Sequence, residues 1–163
     1  MSLAPGTRLG PYEIESPAGA GGMGEVYKAR DTRLNRTVAV KVSRERFSER
    51  FEREARAIAA LNHPHICTLF DVGPDYLVME FVEGETLAQR LTRLHRSGQV
   101  LPGEEVPRLF QQLCSAVAYA HKQGVLHRDL KPQNILINTH NELILTDFGL
   151  AKILGARKCS TID

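Results

Sequence analysis

Tryptophan is absent from the 163 residues, cysteine occurs only three times, and 21 basic side chains are nearly balanced by 19 acidic ones. Each scarcity excludes something. Three cysteines (Cys67, Cys114, Cys159) without paired spacing give neither a disulfide framework nor a zinc site, and suit a reducing compartment. A formal net charge of +2 lacks the surplus that a nucleic-acid face needs and the imbalance of a disordered tail. No apolar run approaches the length of a bilayer span, so no membrane segment is expected in this chain. The opening Met1-Ser2-Leu3-Ala4-Pro5-Gly6 has neither the basic region nor the apolar stretch of a secretory signal. The expectation is a soluble cytoplasmic protein without a nucleic-acid partner. Apolar residues make up 42% of the chain, enough to bury a core in one domain or two small lobes. There is no internal repeat and no low-complexity segment.

The first half reads as strands. Tyr12-Glu13-Ile14-Glu15 and Glu25-Val26-Tyr27-Lys28-Ala29 alternate apolar with polar residues, and the glycines between them suggest a hairpin. After the polar turn 31–36, Thr37-Val38-Ala39-Val40-Lys41-Val42 is β-branched and apolar enough for a buried strand. A helix follows, with Ser48 as cap, Glu49 and Glu52 at its positive end, and Phe47, Phe51, Ala55, Ile58 and Leu61 at helical spacing. Pro64 ends that pattern by pushing the preceding residue out of the helical region. Two more strands are expected over 66–72 and 76–82. A short helix then carries Leu87, Leu91 and Leu94, and a longer one runs over 104–123. Val106, Leu109, Phe110, Leu113, Val117 and Ala120 should form the longer helix's buried face, and Gly124 its C-cap. Short strands are expected at 135–137 and 143–145.

Gly19-x-Gly21-x-x-Gly24-x-Val26 lies between two expected strands. Glycines let backbone N–H groups approach a polyphosphate where a Cβ would clash. The same residues also suit a plain hairpin turn. A dinucleotide fold would need the loop to open a helix, and a strand follows instead. Lys41 sits inside an apolar strand, where its ammonium needs either a partner or an edge position facing water. Glu54 on the next helix is a candidate partner, with Arg53 and Arg56 as competitors for it. His127-Arg128-Asp129-Leu130-Lys131-Pro132-Gln133-Asn134 follows the long helix, and Asp147-Phe148-Gly149 follows the last strand. Asp129 offers a carboxylate to take a proton from a hydroxyl, and Lys131 a cation beside it. Asn134 and Asp147 offer oxygen donors of the kind magnesium prefers. Phosphoryl transfer asks a protein for just such positioning and charge neutralisation. His127 reads as a packed structural histidine, and His63, His65, His95, His121 and His140 have no ligand-like spacing.

The glycine loop, Val38-Ala39-Val40-Lys41, His127 to Asn134 and Asp147-Phe148-Gly149 together resemble the eukaryotic-type protein kinase family, in its order and on the expected elements. The stretch 19–31 resembles the bacterial members, and Lys131 after Asp129-Leu130 is the serine/threonine form. The resemblance implies an α+β, two-lobe kinase fold: an antiparallel five-stranded N-lobe with one main helix, then a truncated helical C-lobe. Residues 1–11 would be an N-terminal extension, 12–82 the N-lobe and hinge, and 83–163 a partial C-lobe ending within the activation segment.

It further implies ATP and Mg2+ as ligands and a protein serine or threonine hydroxyl as acceptor. Asp129 would be the base and Lys131 the cation at the γ-phosphate, with magnesium on Asn134 and Asp147. Lys41, paired with Glu54, would bind the α- and β-phosphates. The loop Ala18-Gly19-Ala20-Gly21-Gly22-Met23-Gly24-Glu25-Val26 would cover the nucleotide. Val26, Ala39 and Leu136 would sandwich the adenine, and Met79 would guard the back pocket. The Glu80 carbonyl and Val82 N–H would meet the adenine edge. Arg128 would receive a phosphorylated activation-loop residue. Ser160 and Thr161 lie in the segment where such a site occurs, but as two of the last residues of the chain they read first as an ordinary frayed terminus.

Two departures stand out. Ala18 replaces the larger aliphatic residue usual over the adenine, a loss of about 1 kcal/mol of contact. Only 14 residues follow Gly149, so the substrate platform and the partners of the 104–123 helix are not encoded here. Association through that exposed apolar surface is therefore expected. The alternative reading is an inactive ATP-binding or docking module, and a cytoplasmic part of a membrane-anchored kinase also fits.

Overall fold

The computed structural model describes residues 2–21 and 24–148. Its chain divides into two compact units, one of residues 1–59 and 68–81, the other of 60–67 and 82–163.

The first unit is built on an antiparallel sheet. Its strands are β1 (Arg8–Leu9), β2 (Tyr12–Gly21), β3 (Gly24–Asp31), β4 (Arg36–Val42), β5 (Leu69–Val72) and β6 (Tyr76–Glu80), in the order β1-β2-β3-β4-β6-β5. The expected five strands are joined by a sixth, β1, too short to show a period. It pairs Arg8 with Glu13 and Leu9 with Tyr12. One face of the sheet is a dry core of Tyr12, Ile14, Tyr27, Ala29, Val38, Val40 and Val78, against which Leu3 and Leu9 also pack. The opening residues are thus stitched to the sheet, with the Leu3 N–H donating to Tyr27 Oη at 2.8 Å. The 31–36 turn is organised by Asp31, fully buried, whose Oδ1 accepts the N–H of Arg33 at 3.0 Å and faces the Arg33 guanidinium at 3.7 Å.

Helix α1 (Glu49–Ala59) begins where its cap predicts: Ser48 Oγ accepts the Phe51 N–H at 3.2 Å. Phe47 stacks on Phe51 at 3.9 Å between centroids, and Phe51 and Ala55 are buried. The strand expected from Ile66 starts only at Leu69. Ile66 instead makes a lone parallel bridge to Leu145 in the second unit, to which 60–67 belong.

The second unit holds β7 (Gly84–Thr86), α2 (Leu87–Arg96), α3 (Glu105–Lys122), a single 3-10 turn (Pro132–Asn134), β8 (Ile135–Asn138) and β9 (Leu143–Leu145). Thr86 and Gln89 close a reciprocal capping box at the start of α2. Gly98, after α2, and Gly124, after α3, have φ of +68° and +76°, the left-handed geometry that ends helices. An ion network fastens β7 to both helices: Arg90 bonds Glu85 at 3.0 Å and lies 3.7 Å from Glu105, while Arg93 bonds Glu85 at 2.6 Å. The Arg93 hydrogen bond, with Arg90 beside it, holds the Glu85 carboxyl below its usual range.

The buried face of α3 follows its apolar pattern except at Val106 and Phe110. Leu109, Ala116 and Ala120 are buried, whereas Val106 and Phe110 are 49% and 65% exposed and Leu113 and Val117 are half-buried. The reason is local. Small alanines admit close packing, and Gln112 accepts the Leu143 N–H of β9 at 2.8 Å. Val106 and Phe110 are left to the outer side. No helix among the described residues is long and apolar enough to cross a membrane.

Candidate functional site

In the first unit the site begins with the hairpin of β2 and β3. Its ladder pairs Gly19 with Val26, Ala20 with Glu25 and Gly21 with Gly24, after register shifts between Ile14 and Ser16 and between Pro17 and Gly19. The strand therefore extends through the glycines rather than stopping before them. The three glycines are not equivalent. A Cβ on Gly24, at φ +150°, would lie 2.0 Å from the Val42 carbonyl oxygen of β4, so this position is closed by sheet packing. A Cβ on Gly19 would meet nothing within 4 Å, so the space above it is open. Gly22 and Met23 lie outside the described residues. Glu25 turns to the core side of the hairpin, where its carboxylate accepts the Tyr27 hydroxyl.

Alternation along the strands sorts the remaining residues by face. Cross-strand pairs Val26–Lys41–Leu77 and Lys28–Ala39–Met79 form two adjacent rows on the face opposite the tyrosine–valine core. Val26, Ala39, Lys41 and Met79 thus share one face of the sheet. β4 lies between β3 and β6, so Lys41 is a central-strand lysine, and the edge-strand reading falls. Glu54 lies with its Oε1 3.5 Å from the Arg50 guanidinium one helical turn earlier, a competitor in addition to Arg53 and Arg56. At the end of β6, Glu80 is pinned to Thr68 twice. Its N–H donates to the Thr68 carbonyl at 2.9 Å, and its carboxylate accepts the Thr68 N–H at 3.3 Å. The chain then leaves the unit between Phe81 and Val82.

In the second unit the polar groups converge on Asp129. Asn134 Nδ2 donates to its carbonyl oxygen at 2.8 Å and to its Oδ2 at 3.1 Å, and Lys131 Nζ lies 3.4 Å from the same Oδ2. Lys131 is half exposed, so this pair adds little to stability and its consequence is where it puts charge. The Asn134 carbonyl accepts the Thr146 N–H at 3.0 Å, which sets Asn134 against the residue preceding Asp147. With its amide nitrogen committed to Asp129, Asn134 presents Oδ1 as an oxygen donor, and Asp147 presents a carboxylate. Leu136 of β8 pairs with Thr86 and Ile144 and is half-buried.

His127 does more than pack. It is 3% exposed, its Nε2 donates to the Thr146 carbonyl at 2.7 Å, and its Nδ1 accepts the Asp129 N–H at 3.1 Å. That pattern needs the neutral ring, and burial pushes its pKa below the ordinary 6.5. Phe148 closes over it with ring centroids 4.7 Å apart. The histidine is therefore a strut between the Asp129 and Asp147 loops. Sequence reading missed this, since only the fold reveals which carbonyl it reaches. Arg128 and Asp147 both adopt left-handed backbone, at φ +67° and +55°. Such conformations cost non-glycine residues about 1–2 kcal/mol, and here both lie beside the polar cluster. Ser160 and Thr161 lie outside the described residues.

The model of the family described as protein kinase domain matches residues 12–162. The chain belongs to the protein kinase family. It is 40% identical over 160 residues to a probable serine/threonine-protein kinase, SCO3848, of Streptomyces coelicolor, with 90% of this chain and 23% of that protein covered. It is likewise 40% identical over 157 residues to the serine/threonine-protein kinase PrkC of Bacillus subtilis, covering 90% of this chain and 24% of that protein. Among solved structures, the PknI kinase domain of Mycobacterium tuberculosis superposes with a TM-score of 0.81 at 31% identity, over 91% of this chain and 64% of that one. The chain thus spans about a quarter of the length of these relatives and is a partial catalytic domain.

Magnesium suits the donor set. Among the described residues no three His, Cys, Asp or Glu side chains gather in a metal-binding group. An all-protein cage is not what this ion requires, because it is held by one or two carboxylates with phosphate oxygens and water completing the shell. In such a shell Asp147 would supply the carboxylate and Asn134 an amide oxygen.

Proposed function

We propose that this chain carries the ATP-binding and phosphoryl-transfer residues of a serine/threonine protein kinase. The observation that supports this most is the Asp129–Asn134–Lys131 cluster, in which one carboxylate is oriented by an amide and faced by an ammonium. The first unit contributes the glycine loop, including Ala18 and Glu25 at its borders, and Lys41 for the phosphates. Glu54 pairs with Lys41. Val26, Ala39 and Leu136 are assigned to adenine contact, Met79 to the back pocket, and the Glu80 carbonyl and Val82 N–H to the base edge.

Asp129 accepts the proton of a protein hydroxyl as that oxygen bonds to the γ-phosphorus. The bond between the γ-phosphorus and the β-phosphate oxygen breaks, and ADP leaves. Lys131 balances the charge gathering on the transferring phosphoryl group. Asn134 and Asp147 would hold magnesium, which when bound would supply neutralisation of the phosphate oxygens. Neutral His127 keeps the Asp129 and Asp147 loops in register throughout.

Residues 1–11, 12–82 and 83–163 are taken as extension, N-lobe with hinge, and partial C-lobe. A second reading, a docking module that binds ATP without transferring it, draws on the exposed Val106 and Phe110 of α3. The deciding experiment is a melting curve with saturating MgATP, since a ligand held only by the folded state raises Tm. Lys41→Ala should abolish the rise. In the protein as its gene encodes it, Asp129→Asn should keep the rise and lose phosphate transfer. Transfer retained by Asp129→Asn overturns the assignment of the base, and absence of transfer from the unsubstituted protein favours the docking module.

A further inference from the structure

Lys28 lies on the same face of the sheet as Ala39 and Met79, directly across the ladder from Ala39. Its ammonium stands 5.4 Å from the centre of the Phe81 ring. Phe81 has a particular place in the chain. The β4–β6 ladder ends with Val38 opposite Glu80, so Phe81 is the first residue beyond it and the last of the first unit. Backbone hydrogen bonds hold the strand as far as Glu80; past that point a side-chain contact takes over.

We propose that Lys28 is a positioning residue for the adenine: its cation–π contact with Phe81 holds the backbone just past β6 in the orientation that meets the base. This rests on the reading of Glu80–Val82 as the segment that receives adenine. The contact is electrostatic and directional, so charge matters more than bulk. Lys28→Met keeps the stem length and removes the charge, whereas Lys28→Arg keeps the charge.

The test uses the protein as its gene encodes it and compares binding of ATP, adenosine and inorganic tripolyphosphate, each with magnesium. Lys28→Met should weaken ATP and adenosine alike by about 2- to 5-fold, the effect of one partly exposed cation–π contact. Tripolyphosphate binding should not change, and Lys28→Arg should restore both nucleoside affinities. Unchanged adenosine binding in Lys28→Met overturns the proposal, as does equal weakening in Lys28→Arg. A parallel loss of tripolyphosphate affinity overturns it too, by assigning the ammonium to the phosphates. If the unsubstituted protein binds tripolyphosphate but neither ATP nor adenosine, the adenine reading itself fails, and the role of Lys28 falls with it.

Discussion

Asn134 Nδ2 donates to two oxygens of Asp129, the main-chain carbonyl at 2.8 Å and carboxylate Oδ2 at 3.1 Å. One side chain thus sets both the backbone and the rotamer of the residue proposed as base. Asn134→Ala removes this two-point hold together with a proposed magnesium donor. Hydrogen bonds to a charged group contribute about 1.5–3 kcal/mol, so kcat should fall by about 10- to 100-fold or more. Steady-state phosphorylation of a protein acceptor by the gene-encoded protein measures it; a change below twofold would remove Asn134 from this role.

Gly19 and Gly24 should separate binding from stability. Gly24→Ala drives a Cβ into the Val42 carbonyl at an unfavourable φ, and such strain should cost about 2–4 kcal/mol. Gly19→Ala meets open space and should leave Tm nearly unchanged while weakening MgATP binding. Denaturation midpoints and nucleotide titrations of the two variants should therefore rank them in opposite order.

Stability should rise with pH across the range just below 6.5. The His127 ring is pushed below its ordinary value by burial, and His63 by burial and by His65 beside it. A lowered folded-state pKa means that the unfolded chain binds the extra protons. The stabilisation is complete above 6.5 and is lost as pH falls through the depressed values. Tm at pH 7.5 should exceed Tm at pH 5, and His63→Asn should shrink that difference. A pH-independent Tm would contradict the neutral-ring assignment.

Phe110→Asp should reduce concentration-dependent association without lowering stability. Phe110 is 65% exposed, so folding gains little from it, and an exposed apolar patch of this kind favours association. Sedimentation velocity over a range of protein concentrations supplies the check. Association undiminished in the variant would locate the sticky surface elsewhere.

Legibility in the sequence followed the range of the forces involved. Val38-Ala39-Val40 and the Ser48 cap are local signals, and both elements formed where they predicted. The Asp129, Lys131 and Asn134 cluster was readable because a short loop places all three residues within one turn of chain. β1 was invisible, since two residues carry no period and only the partner strand defines them. On α3 the apolar pattern holds at Leu109 and Ala120 and fails at Val106 and Phe110, because hydrophobicity ranks Phe110 above Ala116 whereas close packing favours the smaller residue. Ile66 was assigned to the wrong strand because its partner, Leu145, is remote in sequence. The His127 strut depends on the Thr146 carbonyl, which no spacing rule predicts.

The strand order β3-β4-β6-β5 has a consequence during synthesis. β4 leaves the ribosome with β3 available on one side, but its other neighbour, β6, is encoded after α1 and β5. At about 5–20 residues per second, the Val38–Val42 edge waits a few seconds for its partner. An unpaired, apolar edge is a template for foreign strands. The nascent chain is thus most open to misassembly in that interval, and slowing translation between codons 43 and 76 should lower the soluble yield more than equal slowing after codon 80.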